Sequence, residues 1–375
     1  MYVFSDEITS NKISVRDALR FAETESVSNF PVQEYVISKI LSDDNVLSDI
    51  AAKNITPGES LKKLLISDLT EILEYIEKND VLKDYIPSSR ADLPCKEFAD
   101  SICALSSCNN AAGLYTLLTE HLLKFGRGFD GKYLAYLWNN GLIGVSHTDS
   151  ASLDNLYCID RQIKTLTDNT EAFLSGKGAN NVLLYGNSGC GKSTSVKALL
   201  NKYSSKGLRL VQLDKEQLST LPTLINTLSV KPFRFIVFID DLSFEENDGD
   251  YKPLKTALEG RIEGQADNVL FYATSNRFHI VNETWAQRAG DDIHSSDTRN
   301  ERLSLSERFG IRIHFLSPSQ NDYLKIVEGI MADNGVEMNP EIRAEALKWE
   351  VYYNGKSGRT ANQFVKAYLS GNLQK

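Results

Sequence analysis

The pattern of apolar positions divides the chain into a helical first part and a second part that alternates strands with helices. Residues 15–22 and 61–73 repeat apolar side chains at the i, i+3, i+4, i+7 spacing of an amphipathic helix. Pro31 and the Pro-containing stretches 55–60 and 86–94 indicate breaks between helices. This pattern predicts an all-α N-terminal domain over residues 1–125.

The second part contains short, nearly continuous apolar runs, which are typical of parallel strands that are covered on both faces. The predicted strands are residues 182–184, 207–213, 233–241, 268–276 and 310–315. Stretches with helical spacing, 192–200 and 216–228, lie between them. Strands that alternate with helices predict an α/β fold with a five-stranded parallel sheet between helices.

Residues 126–152 separate the two parts and are interpreted as a linker. The stretch is rich in glycine and aromatic residues at its start and in Ser, Thr and Asp at its end. Tyr133, Tyr136 and Trp138 are able to stack on a nucleic-acid base, but few cations accompany them. Packing is therefore the favoured interpretation of these rings.

Composition narrows the class of protein. A chain of 375 residues favours two or three domains, and a formal net charge of -9 argues against a broad grip on nucleic acid, while a local basic patch stays open. The first twenty residues carry charges without an apolar core, and no apolar run approaches a membrane span. We expect a cytoplasmic protein without a membrane partner.

The five cysteines fit neither a paired zinc site nor a disulfide framework, so we expect reduced thiols. His121 is expected to be a core or surface histidine rather than a metal ligand.

The stretch 181–200, NVLLYGNSGCGKSTSVKALL, joins a predicted strand to a predicted helix through a glycine-rich turn. Its spacing G-x-x-x-x-G-K-[ST] is that of a phosphate-binding loop, in which glycines let backbone N–H groups surround a polyphosphate. Lys192 is expected to be an exposed, flexible cation that reaches the β- and γ-phosphates, and the Ser193 hydroxyl is expected to bind magnesium. The predicted nucleotide contacts are Gly186, Asn187, Ser188, Gly189, Cys190, Gly191, Lys192, Ser193 and Thr194.

Polar side chains follow two further predicted strands. Asp240 and Asp241 end one strand and Asn276 ends the next. Because ligands of open parallel sheets collect at the carboxyl ends of the strands, these residues are predicted to share one site with the loop. Asp240 would bind magnesium together with Ser193, and Asp241 would orient or deprotonate the attacking water. The alternative for the Asp pair alone is a solvated strand end.

From about Leu153 to the C terminus, the order and spacing of these features resemble the AAA+ ATPases. The resemblance implies ATP or ADP with Mg²⁺, a P-loop domain over residues 153–316 and a C-terminal helical lid over 317–375. The segment LDNLYCIDRQ at 153–162 is similar to the one that this family places against adenine, with Leu156, Tyr157 and Ile159 as contacts. Cys158 stands where a glycine is usual, which puts the backbone conformation there in question.

Three further positions match motifs of that family. Asn276 matches the polar sensor that holds the lytic water, with Ser275 as the alternative if the register shifts by one. Arg308, in LSLSERFG, matches the arginine finger that one subunit offers to the nucleotide of the next, and Arg359, in GKSGRTANQF, matches the second sensor in the lid. Together with FIDDLSFEEND and YATSNR, these stretches resemble an uncharacterised bacterial family of stand-alone AAA+ ATP-binding proteins, a domain-of-unknown-function family.

The resemblance implies a magnesium-dependent ATPase that forms a homo-oligomer, as a ring or in response to nucleotide. Hydrolysis would drive a conformational change on an unidentified macromolecular partner through the N-terminal domain. Asp241 replaces the usual glutamate, and its shorter side chain sets the carboxylate roughly 1.5 Å back, which predicts slow turnover. The alternative functions are a nucleotide-switched adaptor or helicase-loader-like binding module with little turnover, and a scaffold that holds nucleotide structurally.

Overall fold

A computed structural model describes residues 15–79, 85, 91–128, 130–243, 251–259, 266–276, 305–353 and 355–372. The chain forms two compact units. The first comprises Met1–Leu134, Gly144–Thr148 and Val230–Phe233, and the second comprises Ala135–Ile143, Asp149–Ser229 and Arg234–Lys375. Within the described residues, every helix is too short or too polar to cross a membrane.

The first unit is helical, as the apolar spacing predicts. Its α-helices are α1 (Val15–Thr24), α2 (Pro31–Ser42), α3 (Val46–Ala52), α4 (Glu59–Asn79), α5 (Lys96–Ser106) and α6 (Ala111–Phe125). On α4, Leu65, Leu69, Ile72 and Ile76 are buried at helical spacing, whereas Leu64 is exposed. The predicted apolar face of α4 is therefore confirmed, except that Leu65 is buried there and Leu64 is not.

His121 belongs to the core of this unit. Its ring lies between Phe98 and Phe125, with centroid distances of 5.1 and 5.0 Å, and its Nδ1 is 2.8 Å from the Ser101 hydroxyl. Burial lowers the pKa of His121 to about 4, so the imidazole is neutral at pH 7. Of the two predicted states, core or surface, His121 occupies the core. Within the described residues, no group of three or more His, Cys, Asp or Glu side chains is placed to hold a metal ion.

The second unit is built on a sheet with the strand order β2-β1-β4-β5-β6-β3-β7. Its strands are β1 (Ala135–Trp138), β2 (Leu142–Gly144), β3 (Val182–Gly186), β4 (Leu208–Gln212), β5 (Arg234–Ile239), β6 (Val269–Ser275) and β7 (Ile311–Phe315). The five strands from β3 to β7 run parallel to one another, which confirms the predicted parallel sheet. All seven residues of β6 are buried, as is typical of a central strand covered on both faces.

The interpretation of 126–152 as a linker needs correction, because β1 and β2 lie within it and extend the five-stranded sheet to seven strands. β1 pairs in parallel with β4, from Ala135 opposite Leu210. The side chains of Tyr136 and Trp138 are buried, and Trp138 Nε1 donates to Thr220 Oγ1 at 2.7 Å. These two rings are therefore packing residues, as favoured from the sequence.

Helices complete the second unit. They are α7 (Asp160–Leu174), α8 (Lys192–Tyr203), α9 (Leu221–Ser229), α10 (Tyr251–Glu259), α11 (Gln320–Asp333), α12 (Pro340–Tyr352) and α13 (Gly358–Leu369). The helix predicted at 216–228 is divided into a 3₁₀ turn, Lys215–Thr220, and α9. Pro222 explains the division, since it has no N–H to continue an earlier helix and fits a first helical turn. Helices α11 to α13 enclose a small apolar core around Tyr323, Val327 and Phe364.

Candidate nucleotide-binding site

The glycine-rich loop, the two aspartates and Asn276 meet at the carboxyl ends of three adjacent parallel strands. β3 ends in Gly186 and leads into the glycine-rich loop, β5 is followed by Asp240, and β6 is followed by Asn276. In the sheet, β6 lies between β5 and β3. The strand order thus brings the loop, the carboxylates and the amide to one edge, where open parallel sheets bind their ligands.

The loop backbone requires its glycines. Gly186, Gly189 and Gly191 have φ values of 131°, 75° and 93°, which side chains of L-residues rarely permit. A Cβ on Gly186 would lie 2.0 Å from the Phe315 carbonyl oxygen on β7. Helix α8 begins at Lys192, so the N–H groups of its first turn have no partner within the helix and can bind an anion.

Lys192 differs from its expected exposed state. Only 6% of the residue is exposed, and its Nζ donates to the carbonyl oxygens of Gly186 and Asn187, both at 2.8 Å, and to Asn276 Oδ1 at 2.9 Å. Burial lowers the pKa of Lys192 below its ordinary value. The side chain folds back over its own loop and ties that loop to the end of β6.

The remaining loop positions differ in their surroundings. Asn187 is exposed and its Nδ2 donates to Ser317 Oγ at 2.7 Å, while Ser188 is exposed and Thr194 is half-buried. Cys190 is buried, and burial raises the pKa of its thiol. All five cysteines are free thiols, as expected from their spacing.

Ser193 and Asp240, which the sequence predicts as magnesium ligands, are hydrogen bonded to each other. Ser193 Oγ donates to Asp240 Oδ1 at 2.6 Å, so a hydroxyl and a carboxylate oxygen already converge. Mg²⁺ is commonly held by one or two protein oxygens together with phosphate and water oxygens, and this pair fits that requirement. Ser193 belongs to the first turn of α8, so the pair adjoins the N–H groups that have no partner within that helix.

Asp241 and Asn276 are hydrogen bonded to each other. Asn276 Nδ2 donates to Asp241 Oδ1 at 2.7 Å, and the same amide accepts from Lys192 through its Oδ1. Asp241 has a left-handed backbone, with φ of 53°, and its side chain is exposed. Ser275 is fully buried, so Asn276 rather than Ser275 carries the polar group at this edge.

Thr274 is a residue of this site that the sequence reasoning missed. Its Oγ1 donates to Asp240 Oδ1 at 2.5 Å and accepts from the Asp241 N–H at 2.8 Å. A signal was present in the sequence, because Thr274 precedes Asn276 by two positions and thus lies on the same face of its strand. That signal was weak, since a threonine inside an apolar strand is also ordinary packing material.

The predicted adenine segment has two residues beside the loop and a third against α11. A Cβ on Gly191 would meet Ile159 Cδ1 at 3.4 Å and Leu156 Cδ2 at 3.9 Å. The Tyr157 ring instead covers Gly329 of α11, and burial together with a hydrogen bond to Asp333 raises the pKa of Tyr157 to about 12.

Cys158 keeps the backbone conformation that a glycine would favour at its position. Its φ is 62°, in the left-handed region. Cys158 therefore has a backbone conformation that a glycine adopts more readily than a cysteine. Its thiol is 3.8 Å from the Asp322 carbonyl oxygen of α11.

The two arginines lie at different distances from the loop. Arg359 lies in the first turn of α13, and its N–H donates to the Gly189 carbonyl oxygen at 3.2 Å. Arg308 precedes β7, whose first residue Ile311 pairs with Val182, whereas the loop follows the opposite end of β3 at Gly186. The four residue steps between these ends correspond to about 13 Å. The structure therefore brings Arg359 to the loop and does not bring Arg308 there.

A parallel sheet in the order β4-β5-β6-β3-β7, with a phosphate-binding loop after β3, carboxylates after β5 and a helical lid after β7, defines a P-loop α/β protein of the AAA+ type. The chain belongs to the family described as "Protein of unknown function (DUF815)", whose sequence model matches residues 131–372. The matched region starts shortly before β1 and extends through α13.

Solved structures with a similar fold are distant. The Thermotoga maritima RuvB Holliday junction branch migration motor is 14% identical with a TM-score of 0.35, over 58% of this chain and 72% of that one. The Aeropyrum pernix ORC1 protein in complex with DNA is 14% identical with a TM-score of 0.43, over 59% of this chain and 62% of that one. Among curated proteins, none matches this chain. At this distance the likeness does not extend to what the two proteins bind or move.

Proposed function

We propose that this protein binds ATP with Mg²⁺ and hydrolyses it to ADP and phosphate. The observation that carries the proposal is the connected group of polar side chains at the loop. Lys192 bonds Asn276, Asn276 bonds Asp241, and Ser193 bonds Asp240, all between 2.6 and 2.9 Å. A phosphate-binding backbone, a hydroxyl–carboxylate pair and an exposed, oriented carboxylate are the parts that phosphoanhydride hydrolysis needs.

The loop and the residues around it would bind and position the nucleotide. N–H groups of the loop and of the first turn of α8 would hold the phosphates, and Lys192 would supply positive charge beside them. Ser193 and Asp240 would hold magnesium, which neutralises charge on phosphate oxygens when bound. Ile159 and Leu156 would contact the adenine, and Tyr157 would act from the lid side, where its ring covers Gly329.

Asp241 is the proposed base. Water would attack the γ-phosphorus, the bond from that phosphorus to the ADP oxygen would break, and the proton of the water would pass to the Asp241 carboxylate. Asn276 fixes one oxygen of that carboxylate and so orients it. Glu245 and Glu246, which are the next candidates for a base, lie outside the described residues.

The two arginines extend the proposal to the lid and to a second subunit. Arg359 would bring a cation from α13 to the phosphates, because its backbone already contacts Gly189. Arg308 would act on the nucleotide of a neighbouring copy, because it lies at the other end of β3 from its own loop. The protein would then be a homo-oligomer whose turnover moves a macromolecular partner bound to the first unit.

The five free thiols favour a reducing compartment such as the cytoplasm.

A test of the hydrolysis proposal compares Asp241→Asn with Lys192→Ala by calorimetry and steady-state turnover. Asp241→Asn should bind Mg-ATP like the wild type and lose about 100-fold or more in turnover, because an amide accepts no proton. Lys192→Ala should lose tight ATP binding. Glu74→Gln is the matched control, since it also changes a carboxylate to an amide and Glu74 pairs with Lys78 on the exposed face of α4 at 3.3 Å.

The second candidate function is a nucleotide-switched binding module. The observation that favours it is Asp241 itself, whose short side chain is held at the β6 end by Asn276. Tight nucleotide binding by the wild type, with turnover equal to that of Asp241→Asn, would favour the switch over the ATPase. Turnover in Asp241→Asn equal to an active wild type would instead place the base elsewhere.

A further inference from the structure

Thr274 is a buried hydroxyl that joins the two aspartates of the site. The residue is 2% exposed at the end of β6, donates to Asp240 Oδ1 at 2.5 Å and accepts from the Asp241 N–H at 2.8 Å. A threonine hydroxyl has one proton, so donation to Asp240 leaves its lone pairs for the Asp241 N–H. Both bonds therefore form together and neither competes with the other.

The bond to Asp240 differs from the one that Ser193 makes. Asp240 Oδ1 also accepts from Ser193 at 2.6 Å, but Ser193 is itself a proposed metal ligand. Its hydroxyl would have to donate to the carboxylate and bind the metal at the same time. Thr274 is buried behind the carboxylate and has no such second task, and a hydrogen bond to an ionised oxygen is a strong one. Of these two hydroxyls, Thr274 is the one that can hold Asp240 independently of the metal.

The bond to Asp241 supports an unusual backbone. Asp241 has a φ of 53°, and its N–H is fixed by the Thr274 hydroxyl while the following N–H, that of Leu242, donates to the Thr274 carbonyl oxygen at 2.7 Å. Side chain and main chain of one residue therefore hold the whole turn 240–242. Residues in sparsely populated backbone regions persist only when their surroundings determine them, and Thr274 supplies that constraint.

We propose that Thr274 is a positioning residue, which directs the Asp240 carboxylate toward magnesium and holds Asp241 in its left-handed conformation. The inference rests on the proposed ATPase and deepens it by naming the residue that couples the metal ligand to the base. Thr274 acts only through these two aspartates. Its removal should therefore change the dependence on Mg²⁺ and the turnover together, without changing how the nucleotide itself binds.

The test uses the full chain and the variants Thr274→Val and Thr274→Ser. Valine keeps the branched shape that suits a strand and removes the hydroxyl, whereas serine keeps the hydroxyl. ADP binding is measured by calorimetry in EDTA and across a Mg²⁺ titration, and ATP turnover is measured over the same titration. Thr170→Val is the matched control, because Thr170 is fully buried and its hydroxyl bonds Leu166 O at 2.7 Å and Tyr272 OH, also of β6, at 2.9 Å.

For Thr274→Val, we expect the Mg²⁺ concentration at half-saturation to rise between about 10-fold and 100-fold, the range for partners that orient a metal ligand. ADP affinity in EDTA should stay within about twofold of the wild type, because the loop is untouched, and turnover at saturating Mg²⁺ should fall. Thr274→Ser and Thr170→Val should keep the wild-type Mg²⁺ dependence. If Thr274→Val does not fold, Thr274→Ala replaces it against the same serine variant.

Two results would overturn the inference. One is wild-type Mg²⁺ dependence and turnover in the variant without the hydroxyl, and the other is a serine variant that is as impaired as the valine variant. If the wild type binds nucleotide and Thr274→Val has the same Mg²⁺ dependence and turnover, only the role of Thr274 is refuted. If the wild type binds neither ADP nor ATP, the proposed function is refuted as well.

Discussion

The backbone at position 241 gives a reason why an aspartate follows Asp240. Its φ of 53° lies in the left-handed region, which aspartate and asparagine tolerate better than longer side chains because they bond locally. The Asn276 amide donates to its carboxylate at 2.7 Å. The short side chain thus suits both the left-handed backbone and the bond to Asn276.

Asp241→Glu should therefore lower turnover rather than raise it. The added methylene moves the carboxylate out of the bond with Asn276, and the left-handed backbone costs about 1 kcal/mol or more for a residue without local bonding. Turnover and thermal unfolding of the variant would be measured beside the wild type. An increase in turnover would show instead that the aspartate side chain is too short to reach the attacking water.

His121 makes the stability of the first unit depend on pH. Its pKa is about 4 in the folded protein against 6.5 for an unperturbed histidine, because burial disfavours the charged form. The lower folded pKa means that its contribution is complete above pH 6.5 and is lost as the pH falls toward 4. The whole contribution corresponds to about 3 kcal/mol.

His121→Phe should remove this pH dependence, since the ring keeps its place between Phe98 and Phe125 but no longer titrates. Hydrogen exchange of α5 and α6 would be compared between variant and wild type at pH 7 and pH 5. The wild type should lose more protection than the variant at the lower pH. Ser101→Ala, which keeps the imidazole, is the control, and equal losses in wild type and His121→Phe would contradict the assignment.

At the scale of elements, the junction of β3 and the loop depends on close contact with β7. Gly186→Ala should destabilise the second unit strongly, because a Cβ there would lie 2.0 Å from a backbone oxygen and the φ of 131° disfavours a side chain. Gly178→Ala, with nothing within 4 Å of its Cβ, is the matched control. Thermal unfolding of both variants provides the measurement, and a Gly186→Ala variant as stable as the control would contradict this account of the junction.

Elements with a strong local signal were predictable, and those defined by distant partners were not. β3, β5 and β6 lie at or within two residues of their predicted bounds, because burial on both faces leaves a continuous apolar run. β1 has only four residues and pairs with β4, some 75 positions later, from Ala135 to Leu210. Nothing near β1 in the sequence records that pairing, so its glycine-rich surroundings favoured a linker.

The same limit applies inside the site. The spacing of the loop predicted Lys192 and Ser193 as site residues, and the polar ends of two apolar strands predicted Asp240 and Asn276. Spacing does not encode which protein groups those side chains bond to. Two features follow instead from the tertiary arrangement of β3, β5 and β6. They are the burial of Lys192 against the carbonyl oxygens of its own loop and the position of Thr274 between two aspartates.

For the whole molecule, Arg308 distinguishes an assembling enzyme from a single-subunit switch. Its place before β7, at the far end of β3 from the loop, suits the nucleotide of a neighbour better than its own. Arg308→Ala should bind ATP nearly as well as the wild type and hydrolyse it far more slowly, since a positioned arginine contributes on the order of 10³-fold or more to phosphoryl transfer.

Mixing tests whether the arginine acts between subunits. An excess of Lys192→Ala subunits should restore activity to Arg308→Ala, because each variant supplies the half-site that the other lacks. Arg312→Ala, an exposed arginine on β7, is the control for a general effect of lost charge. Specific activity that does not depend on protein concentration, without rescue on mixing, would refute the role between subunits.

The hairpin of β1 and β2 has a consequence for how the sheet ends. Without it, the free edge would be β4, a strand of five residues, whereas the edge that the structure presents is β2, with three. A sheet edge offers unpaired N–H and C=O groups on which a strand from another chain can align, and a shorter edge offers fewer of them. The hairpin therefore leaves a shorter strand at this end of the sheet, with fewer groups on which another strand can align.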